Sequence, residues 1–548
     1  MKKEVLKMSD IQEKEMTQNV VEQKEEQAPA SSIYVTPPPA YVPPITMYDT
    51  KIKENFHIYG VASLLYALLY AVCMFQNGSG LSFLFYILGT IGYIWFCLRK
   101  LDMKLGKENA FYIVSMLFLA VSTFCTDDGR IIFFNKLGIF LLTLSMLLGI
   151  MHNTKQWNLG KYLGSILQVA VMAIGQIGKP FKDAAWYCKN KINAKNSRYL
   201  YLLLGVVITI PFFAVVLGLL TSADAVFRDA ALNILAKLNL GNIISFIWMI
   251  FFMFLASYGI LVYLCKKELK EEVEDTRKWE PLVAIPVASI LSALYLIFSV
   301  IQILYLFVGN MQLPAGYTYA EYAREGFFQL LAVSILNLIL VLVGLYYFRP
   351  SKVLKGVLVV MSLCTFIMIA SSAMRMMIYI QYYYLTFLRI LVLWTLLVLA
   401  LVFVGVIIYI IRDQFPLFRY SMIVFTCLYI ALSFAQPDYW IAKVNVESMK
   451  AERSEFFKGD AYDDYSYLAG LSADASSVLV GWADDIGCGL DYYYDSSYPI
   501  QTEDKETLYA YSYLSRLRER VGEPGIWNFN LSRWLADLDV SFKLTEGM

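Results

Sequence analysis

Eleven apolar stretches of 17 to 27 residues, each almost free of charge, constrain this 548-residue chain more than any other feature. They occupy 57–75, 81–98, 109–125, 134–152, 199–220, 242–265, 282–308, 326–348, 353–374, 389–411 and 419–435. A bilayer core of roughly 30 Å is crossed by about 20 helical residues at 1.5 Å each, so each stretch is long enough to span one. Only 17% of the residues are charged, against about 25% in an ordinary soluble domain, so no soluble surface could be built around so much apolar chain. The sequence therefore predicts an all-α, polytopic transmembrane helical bundle of about 11 helices. A further run, 159–178, is interrupted by Lys161, Gln168 and Gln176 and is expected to lie on the membrane surface.

Charge orients the bundle. Arg99, Lys100, Lys104 and Lys107 share one side with Lys155 to Arg198, with Lys266 to Lys278, with Arg349, Lys352 and Lys355, and with Arg412 and Arg419. Loops on the other side hold at most two Lys or Arg each, so the basic side is expected to be cytoplasmic. Counting 159–178 as a crossing would scatter the later basic loops to the wrong side. The organisation expected is a disordered cytoplasmic tail over 1–50, rich in Lys, Glu, Gln and Pro. The first helices and a basic amphipathic segment follow over 51–198, and the main membrane helical domain over 199–436. The last part, 437–548, has about twice as many acids as bases and is expected to be a small, mainly helical extracytoplasmic domain. Within it, Thr507 to Arg520 places Leu508, Tyr511, Leu514 and Leu517 at helical spacing. Gly481 to Tyr498 reads as a loop, and Trp527, Phe529 and Trp534 as anchors. The tail lacks the basic start and early apolar core of a cleaved signal, so the first span is expected to direct insertion.

Charges at the ends of spans are the candidate functional residues, because an ion near hydrocarbon needs a partner or water. Four groups stand at the outer ends: Asp127, Asp128 and Arg130; Asp224, Arg228 and Asp229; Glu321, Arg324 and Glu325; and Arg375 with Arg389. Glu321, Arg324 and Glu325 share one helical face, which suits either a neutralised ion cluster or an anion-binding mouth. Arg375 and Arg389 bracket Tyr379, Tyr382, Tyr383, Tyr384 and Phe387, which suits either an interfacial aromatic belt or a pocket for a phosphate or carboxylate. The residues Asp224, Arg228, Glu321, Arg324, Glu325, Arg375, Tyr379 and Arg389 are expected to converge beneath the C-terminal domain.

Catalytic patterns are few. With only His57 and His152 there is no HExxH pair, and no GxxxxGK[ST] loop occurs, so neither a zinc protease nor a P-loop site is expected. No metal, cofactor or nucleic-acid partner is expected. The eight cysteines lie mostly inside apolar runs without CxxC spacing and read as small hydrophobes; Cys488 alone lies beyond the spans.

Several short motifs carry a resemblance. Thr221 to Phe227 is similar to an SADPVF signature with Ala225 in place of proline, and Tyr322 to Leu330 reads YAREGFFQL. Arg375, Tyr379, Leu385, Thr386, Leu388 and Arg389 resemble an R, Y, YGLT, LR pattern, with Tyr384 where Gly is usual. Gln436-Pro437-Asp438 resembles an NPD motif, and Leu471 to Ala475 reads LSADA. Jointly these resemble bacterial polytopic proteins of the domain-of-unknown-function 4173 type and the related 4153. The resemblance implies a bacterial plasma-membrane protein and supplies no catalytic residues. The function expected is a non-enzymatic envelope sensor, scaffold or assembly partner. A transporter and a lipid-linked glycosyltransferase-like or other envelope enzyme are the alternatives. Beyond the lipid bilayer, the partners expected are an envelope protein, an anionic lipid headgroup or the cell wall.

Overall fold

The computed structural model describes residues 47–152, 154, 157, 159–191, 205, 208–209, 212–213, 215–228, 240–266, 276–304, 326–452, 461–488, 504–522 and 525–546. Among them the fold is all-α, with ten helices long and apolar enough to cross a membrane. The eleventh window, 199–220, and the tail 1–46 lie largely or wholly outside the described residues.

Ten helices follow the apolar windows: α2 (Phe56–Met74), α3 (Leu81–Lys100), α4 (Ala110–Cys125), α5 (Gly129–Met151), α8 (Leu240–Cys265), α9 (Pro281–Gln302), α10 (Phe327–Tyr347), α11 (Lys352–Tyr383), α12 (Phe387–Ile411) and α13 (Leu417–Phe434). Their outer faces carry Leu65, Phe133, Leu282, Ile290 and Leu294, each more than half exposed. Apolar surface on that scale is stable only against lipid. Two half-bundles form. In the first, α2 to α5 pack with α8 around Tyr59, Met116, Leu119, Tyr258 and Val262. In the second, α9 to α12 pack around Val341, Leu358, Met361 and Val406. Helix α13 joins them, lying against α12 on one side and α4 on the other. Polar side chains fix that joint: Asn135 takes hydrogen bonds from Tyr429 at 2.9 Å and Ser433 at 2.8 Å, and itself donates to Thr123 at 3.1 Å. Such bonds hold helices together where lipid competes equally for apolar contact.

Three short helices gather at the lysine- and arginine-rich end: α1 (Met47–Glu54), α6 (Leu159–Ile174) and α7 (Lys179–Lys191). At 16 residues α6 is about 24 Å long, short of a crossing. Near its start the Tyr162 hydroxyl donates to the Ser145 carbonyl, and near its finish the Ala173 carbonyl lies against Gly259. Ser145 and Gly259 are both close to the basic ends of their spans, so α6 meets α5 and α8 at similar depth.

At the opposite end α14 (Pro437–Glu452), α15 (Ala461–Ala469), α16 (Ser476–Asp485), α17 (Lys505–Val521) and α18 (Leu531–Glu546) enclose a core of Leu468, Leu479, Trp482, Tyr513, Leu514 and Val540. Three sequence expectations are corrected here. Helix α17 buries Ala510, Tyr513, Leu514 and Leu517 and leaves Leu508 exposed, so its inward face is rotated from the one the leucines suggest. The Gly- and Tyr-rich run begins inside α16, and its stretch 489–498 lies outside the described residues. Trp527 and Trp534 are exposed, and Trp482 is the core tryptophan. Phe529, in contrast, contacts both Trp534 and Phe124 of α4.

Candidate functional site

The densest polar cluster joins the C-terminal domain to the loop between α4 and α5. That loop has to turn the chain within three residues, and Asp128 starts α5 by capping it, its carboxylate accepting the Arg130 amide at 2.9 Å. The Arg130 guanidinium folds back on the same carboxylate through two 2.9 Å bonds, pairs with Asp438 at the start of α14, and lies 4.1 Å over the Phe387 ring. Asp127 points the other way. Its carboxylate accepts from Arg533 of α18 at 2.6 Å and from Arg520 of α17 at 3.3 Å.

The segment Leu471 to Ala475 fits between them because its small side chains leave the backbone accessible. The Ser472 amide donates to Asp438 at 2.9 Å and the Ala473 amide to Asp127 at 3.3 Å. In return Asp474 accepts from the Asp127 amide at 2.8 Å and from the Thr126 and Ser532 hydroxyls. Four carboxylates, Asp127, Asp128, Asp438 and Asp474, are thus buried among three guanidinium groups. Burial pushes the Asp474 carboxyl up to about 6, against the pull of its Ser532 and Thr126 hydroxyl donors. Asp438 is raised as well, first by burial and then by the neighbouring Asp128 charge.

A second contact lies beside the first. The loop between α2 and α3 approaches the domain at Gly80, where a β-carbon would stand 2.6 Å from the Trp527 carbonyl oxygen. Only glycine leaves room for that approach. The Leu81 amide donates to the Phe529 carbonyl at 2.9 Å, and the Asn530 side chain donates to the carbonyls of Thr126 at 2.9 Å and Ser79 at 3.3 Å.

The residues singled out by sequence fall into three sets. Glu321, Arg324 and Glu325 lie outside the described residues. Asp224 and Arg228 bond locally: Asp224 accepts from the Phe227 amide at 2.7 Å, and Arg228 donates to the Thr221 carbonyl at 2.7 Å. Arg389 meets Tyr379, and Arg375 has a different neighbour. The Arg389 guanidinium lies 4.4 Å over the Tyr379 ring and donates to the Tyr383 and Tyr384 carbonyls, while Arg375 packs against Gly326, which holds a left-handed φ of +111°. This turn also touches the domain. The Leu385 backbone exchanges bonds of 2.7 and 2.9 Å with the Asn445 side chain, and the Phe387 amide donates to the Tyr467 hydroxyl at 2.9 Å. Arg389 and Tyr379 therefore brace a docked turn.

Sequence reasoning noted Asp127, Asp128 and Arg130 as a group, and quoted Asp438 and Asp474 inside motifs, without joining them. Arg520 and Arg533 carry no local signal, since their partner Asp127 lies 393 and 406 residues away in sequence. Among the described residues no group of three His, Cys, Asp or Glu side chains is arranged to hold a metal ion.

A family model described as a domain of unknown function (DUF4153) matches residues 113–481. No curated protein and no solved structure matches the chain.

Proposed function

The chain belongs to the DUF4153 family over about two thirds of its length, and from that premise we propose that it is a non-enzymatic docking protein of the bacterial envelope. In this reading the lysine- and arginine-rich end faces the cytoplasm and the C-terminal domain faces outward, presented to an envelope partner. The observation that carries it is the latch: four buried carboxylates and three arginines, drawn from two chain segments more than 300 residues apart, fix the domain on the bundle. A domain held this firmly is suited to transmit or resist a load rather than to swing over a substrate. On α18, Trp534, Leu535, Leu538 and Phe542 are exposed along one stripe, an apolar surface that a partner could cover.

An envelope enzyme would want a carboxylate facing an open cavity. Asp474, the acid held by hydroxyls and an amide, is instead 7% exposed beneath Ser532. Purified protein given labelled lipid-linked sugar donors is expected to transfer nothing. Transfer abolished by Asp474→Asn would replace the docking reading with a catalytic one. Orientation is tested separately: proteolysis of intact spheroplasts should cut beyond residue 437 and spare the 266–281 loop, and the reverse pattern would invert the topology.

A further inference from the structure

Two concavities in the bundle run into one another. The first is a crevice of about 410 Å³ between the half-bundles, walled by Leu119, Leu142, Leu338 and Val402 and floored by Phe425 of α13. Leu141, Leu163 and Phe425 on its walls are 41%, 56% and 51% exposed, so it is open to the lipid side. The second, about 420 Å³, lies at the basic end of the same helices and is lined by Glu108, Asp413, Arg419, Tyr112, Tyr162 and Trp157. The two share Tyr346, Leu417, Phe418 and Met422 on their common wall. Together they make an apolar slot ending in a polar chamber, in the size range of a ligand site at a junction of helix bundles.

We propose that this site holds one phospholipid with a primary ammonium headgroup, its acyl chain in the crevice and its phosphoethanolamine in the chamber. An acyl chain gains little by leaving bilayer hydrocarbon for an equally apolar slot, so selectivity has to come from the headgroup. The chamber lining carries Glu108, Asp413 and Arg419, with Arg419 paired to Glu108 at 3.5 Å and Asp413 paired to Lys355, beside the chamber, at 2.7 Å. The lining thus has two acids to one base, and a zwitterionic headgroup can interleave with it, phosphate toward Arg419 and ammonium toward Glu108 and Asp413. A net anionic headgroup would set a phosphate against those carboxylates without a counter-charge. The tyrosine hydroxyls and carboxylates accept N–H bonds, which a primary ammonium makes and a quaternary one does not, while the ring faces suit either cation. This inference is independent of the docking role proposed above.

The test uses the full-length protein, delipidated in mild detergent and offered equimolar phosphatidylethanolamine, phosphatidylglycerol and phosphatidylcholine, with bound lipid read by native mass spectrometry. One phosphatidylethanolamine should be retained, about tenfold over phosphatidylglycerol, equivalent to about 1.4 kcal/mol. Glu108→Gln with Asp413→Asn should abolish or reverse that preference while the number of bound lipids stays at one. Leu142→Trp, which fills the crevice without touching the chamber, should abolish retention of every phospholipid. Equal or greater retention of phosphatidylglycerol by the unaltered protein, a preference that survives loss of both carboxylates, or undiminished retention in Leu142→Trp would each overturn the assignment.

Discussion

Single residues show where the chain accepts strain to bring its parts together. Tyr384 follows α11 with φ +62° and ψ 176°, a backbone region open in practice to glycine alone and costing about 1–3 kcal/mol for another residue. The sequence marked the spot, since Tyr384 stands where the resembling motif has Gly, but nothing local says that the turn keeps its shape without one. It keeps it because Arg389 and Asn445 grip the turn's carbonyls and amide from outside. Tyr384→Gly should therefore leave stability unchanged or raise it by about 1 kcal/mol, the relieved strain slightly exceeding the extra chain entropy of glycine. A clear fall in melting temperature would show that the tyrosine ring is needed. Gly80 is the opposite case. Gly80→Ala drives a methyl into the Trp527 carbonyl, and a backbone neighbour can yield only by moving the whole segment, at about 1–3 kcal/mol. Limited proteolysis should find the C-terminal domain more readily released in that variant.

Among the elements, hydropathy located the spans to within a few residues and failed where polar residues continue a helix. The window 353–374 stops at Arg375, yet α11 runs on through Arg375 and Tyr379 to Tyr383, 32 residues and about 48 Å. Those residues stay helical because Met376 and Ile378 remain buried and Arg375 packs against α10 at Gly326. The latch shows the same limit. Asp127 of the α4–α5 loop was visible, but its arginine partners come from α17 and α18, roughly 400 residues on, and no periodicity connects such distant positions. Asp127 is 2% exposed at its side chain while its arginines are about a third exposed, so the energetic weight lies on the acid. Arg533→Ala should cost toward the lower end of the 3–5 kcal/mol typical of a broken buried pair, because water partly screens the guanidinium. Arg520→Ala, with the longer 3.3 Å contact, should cost less. Asp127→Asn introduced into Arg533→Ala should restore part of the loss, because Arg520 alone is left to meet the buried Asp127 charge. If the double variant is as unstable as the sum of the singles, the pair is not coupled and the latch is only a coincidence of packing.

For the whole molecule the latch matters because it couples the C-terminal helices to the bundle of candidate membrane spans through groups that titrate. The Asp474 carboxyl rises from the ordinary 3.8 to about 6, and Asp438 and Asp539 are raised as well, in each case chiefly by burial. A raised carboxyl binds its proton more tightly in the folded protein than in the unfolded chain, so this contribution is fully present below about pH 4. It is lost as pH climbs through the Asp474 value near 6. The folded state should therefore gain as pH falls from 7.5 to 5, by an amount on the order of 1.4 kcal/mol if Asp474 dominates. Asp474→Asn should flatten the profile, since the amide still meets the Thr126 and Ser532 hydroxyls and carries no charge at any pH. Melting curves of the purified full-length protein at pH 5 and 7.5, in one detergent and at one ionic strength, check both statements. A melting temperature that falls on acidification would mean that the relief at Asp474, Asp438 and Asp539 does not set the pH response of the latch. Acid would then loosen the latch instead of tightening it.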